Sequence, residues 1–146
     1  MATYSFLDVS AAIVGPGGAF QLGNGAGAAE EGIDIEPMAE KETMTIGADG
    51  VPMHSLHADK SGTVTVRLLK TSPVNAQLNA MYNLQQLSAA VWGNNVITLT
   101  NSVTGESITC RSVAFKKKPK MAYAKDGGTN EWQFNAGFVD STLGTY

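Results

Sequence analysis

The sequence predicts a mainly β protein, a sandwich or barrel of about eight strands with one packed α-helix. Three observations carry that expectation. Apolar and polar residues alternate with period two over most of the chain, the pattern of half-buried strands. Residues 73–91 alone switch to apolar recurrence every three or four residues, so one helix is expected there. Sixteen glycines among 146 residues divide the rest into turns and loops. A chain of this length buries roughly two-thirds of its unfolded surface, so residues 1–146 are expected to form one domain without staples.

The elements follow in order. Leu7, Val9, Ala11 and Ile13 share one face of a first strand, with Asp8, Ser10 and Ala12 opposite. The stretch from Gly15 to Gly27 is dense in glycine and is expected to be a long loop, extending to about residue 30. A second strand runs from about Gly32 to Met38 and a short third from about Glu42 to Gly47. Residues 48–61 are expected to be irregular. Val64, Val66 and Leu68 then mark a clear strand. Ser72 can cap the helix that follows, and Pro73 suits its first turn, where a missing N–H goes unused anyway. Leu78, Met81, Leu84, Leu87 and Val91 give that helix an apolar face, and Gly93 stops it. Two hairpins complete the chain, 96–101 with 106–116, then 121–125 with 130–139. In the last strand Trp132, Phe134, Ala136 and Phe138 are expected on one face.

Charged residues are only 16% of the chain, against about a quarter in typical soluble domains. Ten Lys and Arg against thirteen Asp and Glu give a formal charge of −3, which argues against phosphate binding over the whole surface. Few charges and many glycines suit a surface covered by copies of the same chain. One cysteine, Cys110, excludes a disulfide within the chain and fits assembly in a reducing cytoplasm. The N-terminal residues lack the basic and apolar regions of a secretory signal, and nothing reaches the roughly twenty apolar residues of a membrane span. A soluble protein without membrane insertion is expected.

The search for chemistry finds none. The glycine-rich loop lacks the Gly-Lys-Ser/Thr ending of a phosphate loop, and Glu30 and Glu31 next to it would repel phosphate. His54 and His57, the only histidines, lack a nearby third metal ligand. Neither belongs to a recognisable nucleophile-and-base arrangement. Cys110 alternates on a strand face and reads as a small buried hydrophobe. Glu30, Glu31, Asp34, Glu36, Glu40 and Glu42 form an acidic run interrupted by Lys41. Lys116, Lys117, Lys118 and Lys120 form an opposite cluster around Pro119. Each reads as a solvated strand surface, or as one half of a charge pairing between copies. No enzyme and no cofactor are expected.

Several segments together carry a resemblance. Tyr4-Ser5-Phe6-Leu7-Asp8-Val9, Ala28-Ala29-Glu30-Glu31-Gly32-Ile33 and Met44-Thr45-Ile46-Gly47-Ala48-Asp49-Gly50 resemble, in the same order, the tail tube proteins of contractile-tailed bacteriophages. So do Met53-His54-Ser55-Leu56-His57, the run from Gly62 to Lys70, and Ala122-Tyr123-Ala124-Lys125-Asp126-Gly127-Gly128-Thr129. The similarity covers nearly the whole chain; the co-linear set is specific where no single piece is. It implies a virion subunit, assembled in the host cytoplasm, that forms hexameric rings. Those rings stack into a tube inside a sheath, between baseplate and tail terminator proteins, and the tube conducts double-stranded DNA into the host without binding it specifically. A tube of a bacteriocin or secretion-type injection machine would use the same fold, and a small ligand-binding β-barrel is the alternative of another class.

That resemblance turns three features into expectations. Val51, Met53, His54, Leu56 and His57, in a fourteen-residue connection that is long for a compact domain, are expected to dock on an adjacent ring. The acidic run is expected to meet basic residues of another copy, the lysine cluster first. Even one lysine–phosphate contact per subunit would repeat along the tube and retain DNA. The lumen is therefore expected to be neutral to acidic, without an inward stripe of those lysines.

Overall fold

The computed structural model describes residues 2–23 and 28–145, and for residues 28–31 the backbone only. A short turn of 3-10 helix, Phe6–Asp8, precedes β1 (Val9–Gly15); β2 (Gly18–Gln21), β3 (Ala28–Pro37), β4 (Glu42–Ile46), β5 (Pro52–Leu56) and β6 (Gly62–Leu69) follow. Then come α1 (Val74–Gln85), β7 (Asn95–Asn101), β8 (Glu106–Lys117) and β9 (Thr129–Thr142). Seven strands form one antiparallel sheet in the order β2-β1-β7-β8-β9-β6-β3, and β4 and β5 pair only with each other. The mainly β architecture with one helix is as the alternation predicts. Among the described residues the sheets are not closed, so a single chain does not form the barrel, one of the two expected forms.

Each core strand buries alternate residues. β6 buries Gly62, Val64, Val66 and Leu68 and turns Thr63, Thr65 and Arg67 to the other face. β1 buries Val9, Ala11 and Ile13, and β9 buries Trp132, Phe134 and Ala136. Onto this apolar face α1 lays Val74, Leu78 and Met81. Phe115 sits among aromatic rings, 4.9 Å from Phe134, 5.5 Å from Tyr82 and 5.9 Å from Trp132 between centroids. Two of these contacts are edge-to-face, which aromatic quadrupoles favour. The opposite face of the sheet is polar, rich in threonine, asparagine and glutamine. There Arg67 reaches Asp34 at 2.7 Å and Glu131 at 3.8 Å.

Five local expectations differ from what forms. Ser5 Oγ accepts from the Leu7 N–H and starts the 3-10 turn, so Leu7 is exposed instead of joining the first strand. Within the glycine-rich stretch Pro16-Gly17 is a tight turn, with Gly17 at φ +109°, and β2 pairs back on β1. β3 begins at Ala28, ahead of its expected start, with Gly32 at φ +65° and a register shift between Ala28 and Ile33. The helix stops at Gln85 because that side chain turns inward to Asn95 and Pro16; Leu87 is exposed and the chain to Gly93 runs in turns. Phe138 leaves the core face, 46% exposed, after a bulge at Ser112 (φ +51°), whose Cβ packs beside Gly137.

Two larger corrections concern the places where function was sought. Residues 48–61 are not irregular throughout, because β5 forms inside them. Residues 121–125 are not a strand; they belong to an irregular strap between β8 and β9.

Candidate functional site

The β4–β5 hairpin is the first unusual surface. Its turn is built by Gly47 and Gly50: the Gly47 N–H donates to Val51 O at 2.9 Å, and Gly50 adopts φ +86°. Asp49 Oδ1 accepts from the Val51 N–H at 3.2 Å. An isolated two-stranded ribbon is at best marginally stable in water, and this one is exposed along both strands. Register puts Met44 opposite His54, Ile46 opposite Pro52 and Glu42 opposite Leu56, all on one face. His54 Nδ1 contacts the Glu42 carboxylate on that face. On the other, His57 lies 3.2 Å from Thr43 Oγ1 and 3.1 Å from the Glu40 carbonyl. Leu56 is 82% exposed, and Val51, Met53, Met44 and Ile46 are exposed too.

The foot of the hairpin is braced. Met38 N–H donates to Ser61 O at 3.1 Å, closing the ladder of β3 and β6. Asp59 Oδ1 accepts from the Ser61 N–H at 2.8 Å and from its hydroxyl at 2.5 Å. The side-chain bond from Ser61 first, then the backbone bond, hold the Asp59 carboxyl below its usual value. Lys41 Nζ donates to Asp59 O at 3.2 Å, tying the outgoing strand to the returning one.

The second surface lies at the far end of β6. A groove of about 280 Å³ opens between the first turns of α1 and the strap, lined by Asn75, Asn79, Lys70, Lys118, Lys120 and Trp132 among others. Lys70 holds the strap: its ammonium donates to Ala122 O and stands 3.9 Å from the Tyr123 ring centroid. Lys118 Nζ lies 5.3 Å from the Tyr82 ring. Trp132 Nε1 donates to Asn75 Oδ1 at 3.0 Å, fixing the floor against the helix. Met121 and Tyr123 are 77% and 87% exposed at its rim. β8 shifts register against β9 between Phe115 and Lys117, which stands opposite Gln133, so strict alternation ends at the lysine cluster, while Lys118 lies against Tyr82 on the helix side.

The structure brings Val51, Met53, His54, Leu56 and His57 onto one hairpin and its base. It does not bring the acidic and basic runs together. Asp34 is engaged by Arg67, and Glu42 by His54. Glu40 lies at the hairpin foot, Glu36 near the end of β3, and the side chains of Glu30 and Glu31 lie outside the described residues. The groove was not legible in the sequence, because its walls come from β6, α1, the strap and β9. Met121 and Tyr123, apolar residues beside a lysine cluster, were the available signal.

Among the described residues no group of three His, Cys, Asp or Glu side chains is placed to hold a metal ion. No described helix is long and apolar enough to cross a membrane. Cys110 is fully buried, and desolvation, then the Asp140 charge, push its thiol up to about 11. The outer strands of the seven-stranded sheet, β2 and β3, each have one strand neighbour among the described residues. Leu22 N–H donates to Ala11 O, and the antiparallel alternation from that bond turns the Ala19 and Gln21 N–H groups away from β1.

Comparison with solved structures finds similar folds in contractile injection systems. The sheath/tube terminator of an extracellular contractile injection system, PVC, aligns with a TM-score of 0.56 at 14% identity, covering 98% of this chain and 99% of that one. A chain of the PVC sheath-tube complex in the extended state aligns at 0.52 with 10% identity, over 90% and 87%. A chain of the anti-feeding prophage cap aligns at 0.51 with 12% identity, over 97% and 93%. At these identities the likeness shows the fold. No curated protein matches the sequence. The family described as bacteriophage PhiTE tail tube protein matches residues 1–144, nearly the full length, and the chain therefore belongs to the bacteriophage PhiTE tail tube protein family.

Proposed function

We propose that this protein is a structural, non-enzymatic virion subunit, assembled in the host cytoplasm, whose hexameric rings stack into the inner tube of a contractile tail. The observation that carries the reading is the open sheet, whose outer strands each have one free edge among the described residues. Such edges are templates for pairing with another chain. Because β2 and β3 are different edges, their pairing is head-to-tail, and head-to-tail contacts close into rings when the rotation allows. The ring would complete across subunits the closure that one chain lacks.

The polar sheet face lines the lumen in this reading. Arg67 lies between Asp34 and Glu131, so this cation is offset by carboxylates and offers DNA phosphates little. Lys118 points toward the helix side, away from that face, whereas Lys117, opposite Gln133 at the end of β8, stands at its margin. The hairpin supplies the ring-to-ring contact through Val51, Met53, His54, Leu56 and His57. The acidic run, Glu30, Glu31, Asp34, Glu36, Glu40 and Glu42, would pair with lysines of another copy, among Lys116, Lys117, Lys118 and Lys120. Sheath, baseplate and terminator proteins are its other partners, and DNA passes through during ejection. The fold neighbours from an extracellular contractile injection system support a second reading, the tube of an injection machine.

Negative-stain microscopy of the purified protein tests the assembly: rings or tubes are expected, and a monomer at every concentration would overturn it in favour of a ligand-binding β domain. Native particles that eject packaged DNA through the tube separate a phage tail from an injection machine.

A further inference from the structure

Three surfaces remain after the reading above: the foot of the hairpin near β9, the exposed turns after α1, and the lysine-lined groove. The first is braced by its own hydrogen bonds, and nothing says what covers the second. The third has a complement elsewhere on the same chain.

We infer that the groove between α1 and the strap is the acceptor for the β4–β5 hairpin of a second copy of this chain, displaced along the strand direction. β6 runs directly from one surface to the other, its Gly62 end joining the hairpin and its Leu69 end leading into Lys70 of the groove. Eight residues of strand at roughly 3.3 Å each set the two about 23 Å apart, so one molecule cannot bring them together. A copy shifted along that axis can.

The chemistry of the two surfaces matches. The hairpin presents Glu42, in contact with His54, with Met44, Ile46 and Leu56 on one face, and Glu40 at its foot, where the intervening Lys41 is turned to the Asp59 carbonyl. The groove presents Lys118 and Lys120 beside the exposed Met121 and Tyr123, and no carboxylate lines it. Asn79 and Asn130 in the lining supply hydrogen-bond donors and acceptors. A ribbon unstable alone would gain an apolar cover, and the charges would set its register. Each copy has one hairpin and one groove, so the contact is head-to-tail and propagates without limit along the tube.

This inference rests on the stacked-tube reading, and charge exchange tests the two separately. Wild-type protein is expected to form tubes by negative-stain microscopy. The groove-reversed variant, Lys118→Glu with Lys120→Glu, is expected to keep rings and lose tubes. Adding Glu40→Lys and Glu42→Lys in the same chain is expected to restore tubes. Lys118→Gln with Lys120→Gln, the milder pair should reversal disturb folding, is expected to release single rings at lower salt than wild type.

Normal tubes from the groove-reversed variant would overturn the inference and leave the stacked tube standing. So would loss of tubes that the hairpin reversal does not restore, which would give the groove another occupant. Tubes that assemble from the reversed variant but no longer take up sheath would assign the groove to that partner instead. A wild-type protein that never stacks would remove both readings together.

Discussion

Gln85 and Asn95 join segments far apart in the chain. Both are fully buried; each amide donates to the other, at 2.7 and 2.9 Å, and their remaining donors reach the Pro16 and Val113 carbonyls. A buried amide with every partner present costs little, whereas one left alone costs its desolvation. Asn95→Ala should therefore destabilise the subunit by about 2–3 kcal/mol in urea unfolding. Gln85→Leu with Asn95→Leu should cost less than the two single changes summed. Gly15 belongs to the same site, because a Cβ there would collide with Asn95 Oδ1. Ser112 shows the opposite case: it holds φ +51°, which strains a residue with a Cβ, so Ser112→Gly should stabilise by about 0.5–1 kcal/mol. Cys110, buried with a raised thiol, should resist alkylation at pH 8 in the native protein and react once unfolded.

At the scale of elements the hairpin is separable from the sheet. The Met38–Ser61 hydrogen bond closes the β3–β6 ladder beneath it, so replacing residues 39–60 by Asn-Gly should leave a normal hairpin turn. That variant should fold and form rings but no tubes; stacked tubes would move the contact elsewhere, first to the glycine-rich segment. The hairpin foot also carries an acid dependence. Ser61 bonds the charged form of Asp59, so the folded carboxyl titrates below its ordinary value of 3.8. The support is complete above that value and is lost as pH falls through the lower folded one. Amide exchange at Ser61 should accelerate in that acid range, and Asp59→Asn should flatten the dependence. The helix shows how far periodicity reads. Its first turns were legible, but Pro73 and not Ser72 stands at the N-cap, without a side-chain cap, and Ser72 Oγ only accepts from the Val74 N–H at 3.3 Å. Its end was not, because Leu87 and Val91 continue the spacing while Gln85 is drawn to a partner across the fold.

For the molecule as a whole, the unpaired edges make the strongest demand. The Ala19 N–H points away from β1, so Ala19→Pro removes an outward donor and leaves the inner ladder intact. The variant should remain a folded subunit and lose rings in mass photometry; intact rings would show that edge pairing does not close them. What the sequence determined by itself is what neighbours along the chain decide. Alternation in β6 and in β9 as far as Ala136, the first turns of α1 and the turn between residues 101 and 106 depend on residues a few positions apart. Composition excluded a wholly phosphate-binding surface for the same reason, since charge is summed without knowing the fold. Tertiary structure alone decided which strands pair, because backbone hydrogen bonds are alike for every partner and carry no address. It revealed β5, whose residues face water on both sides and show no alternation, and it moved Phe138 outward through a bulge on the neighbouring strand. It also set Glu40 and Glu42 at one end of β6 and Lys118 and Lys120 at the other, because sequence separation does not measure distance in a folded sheet.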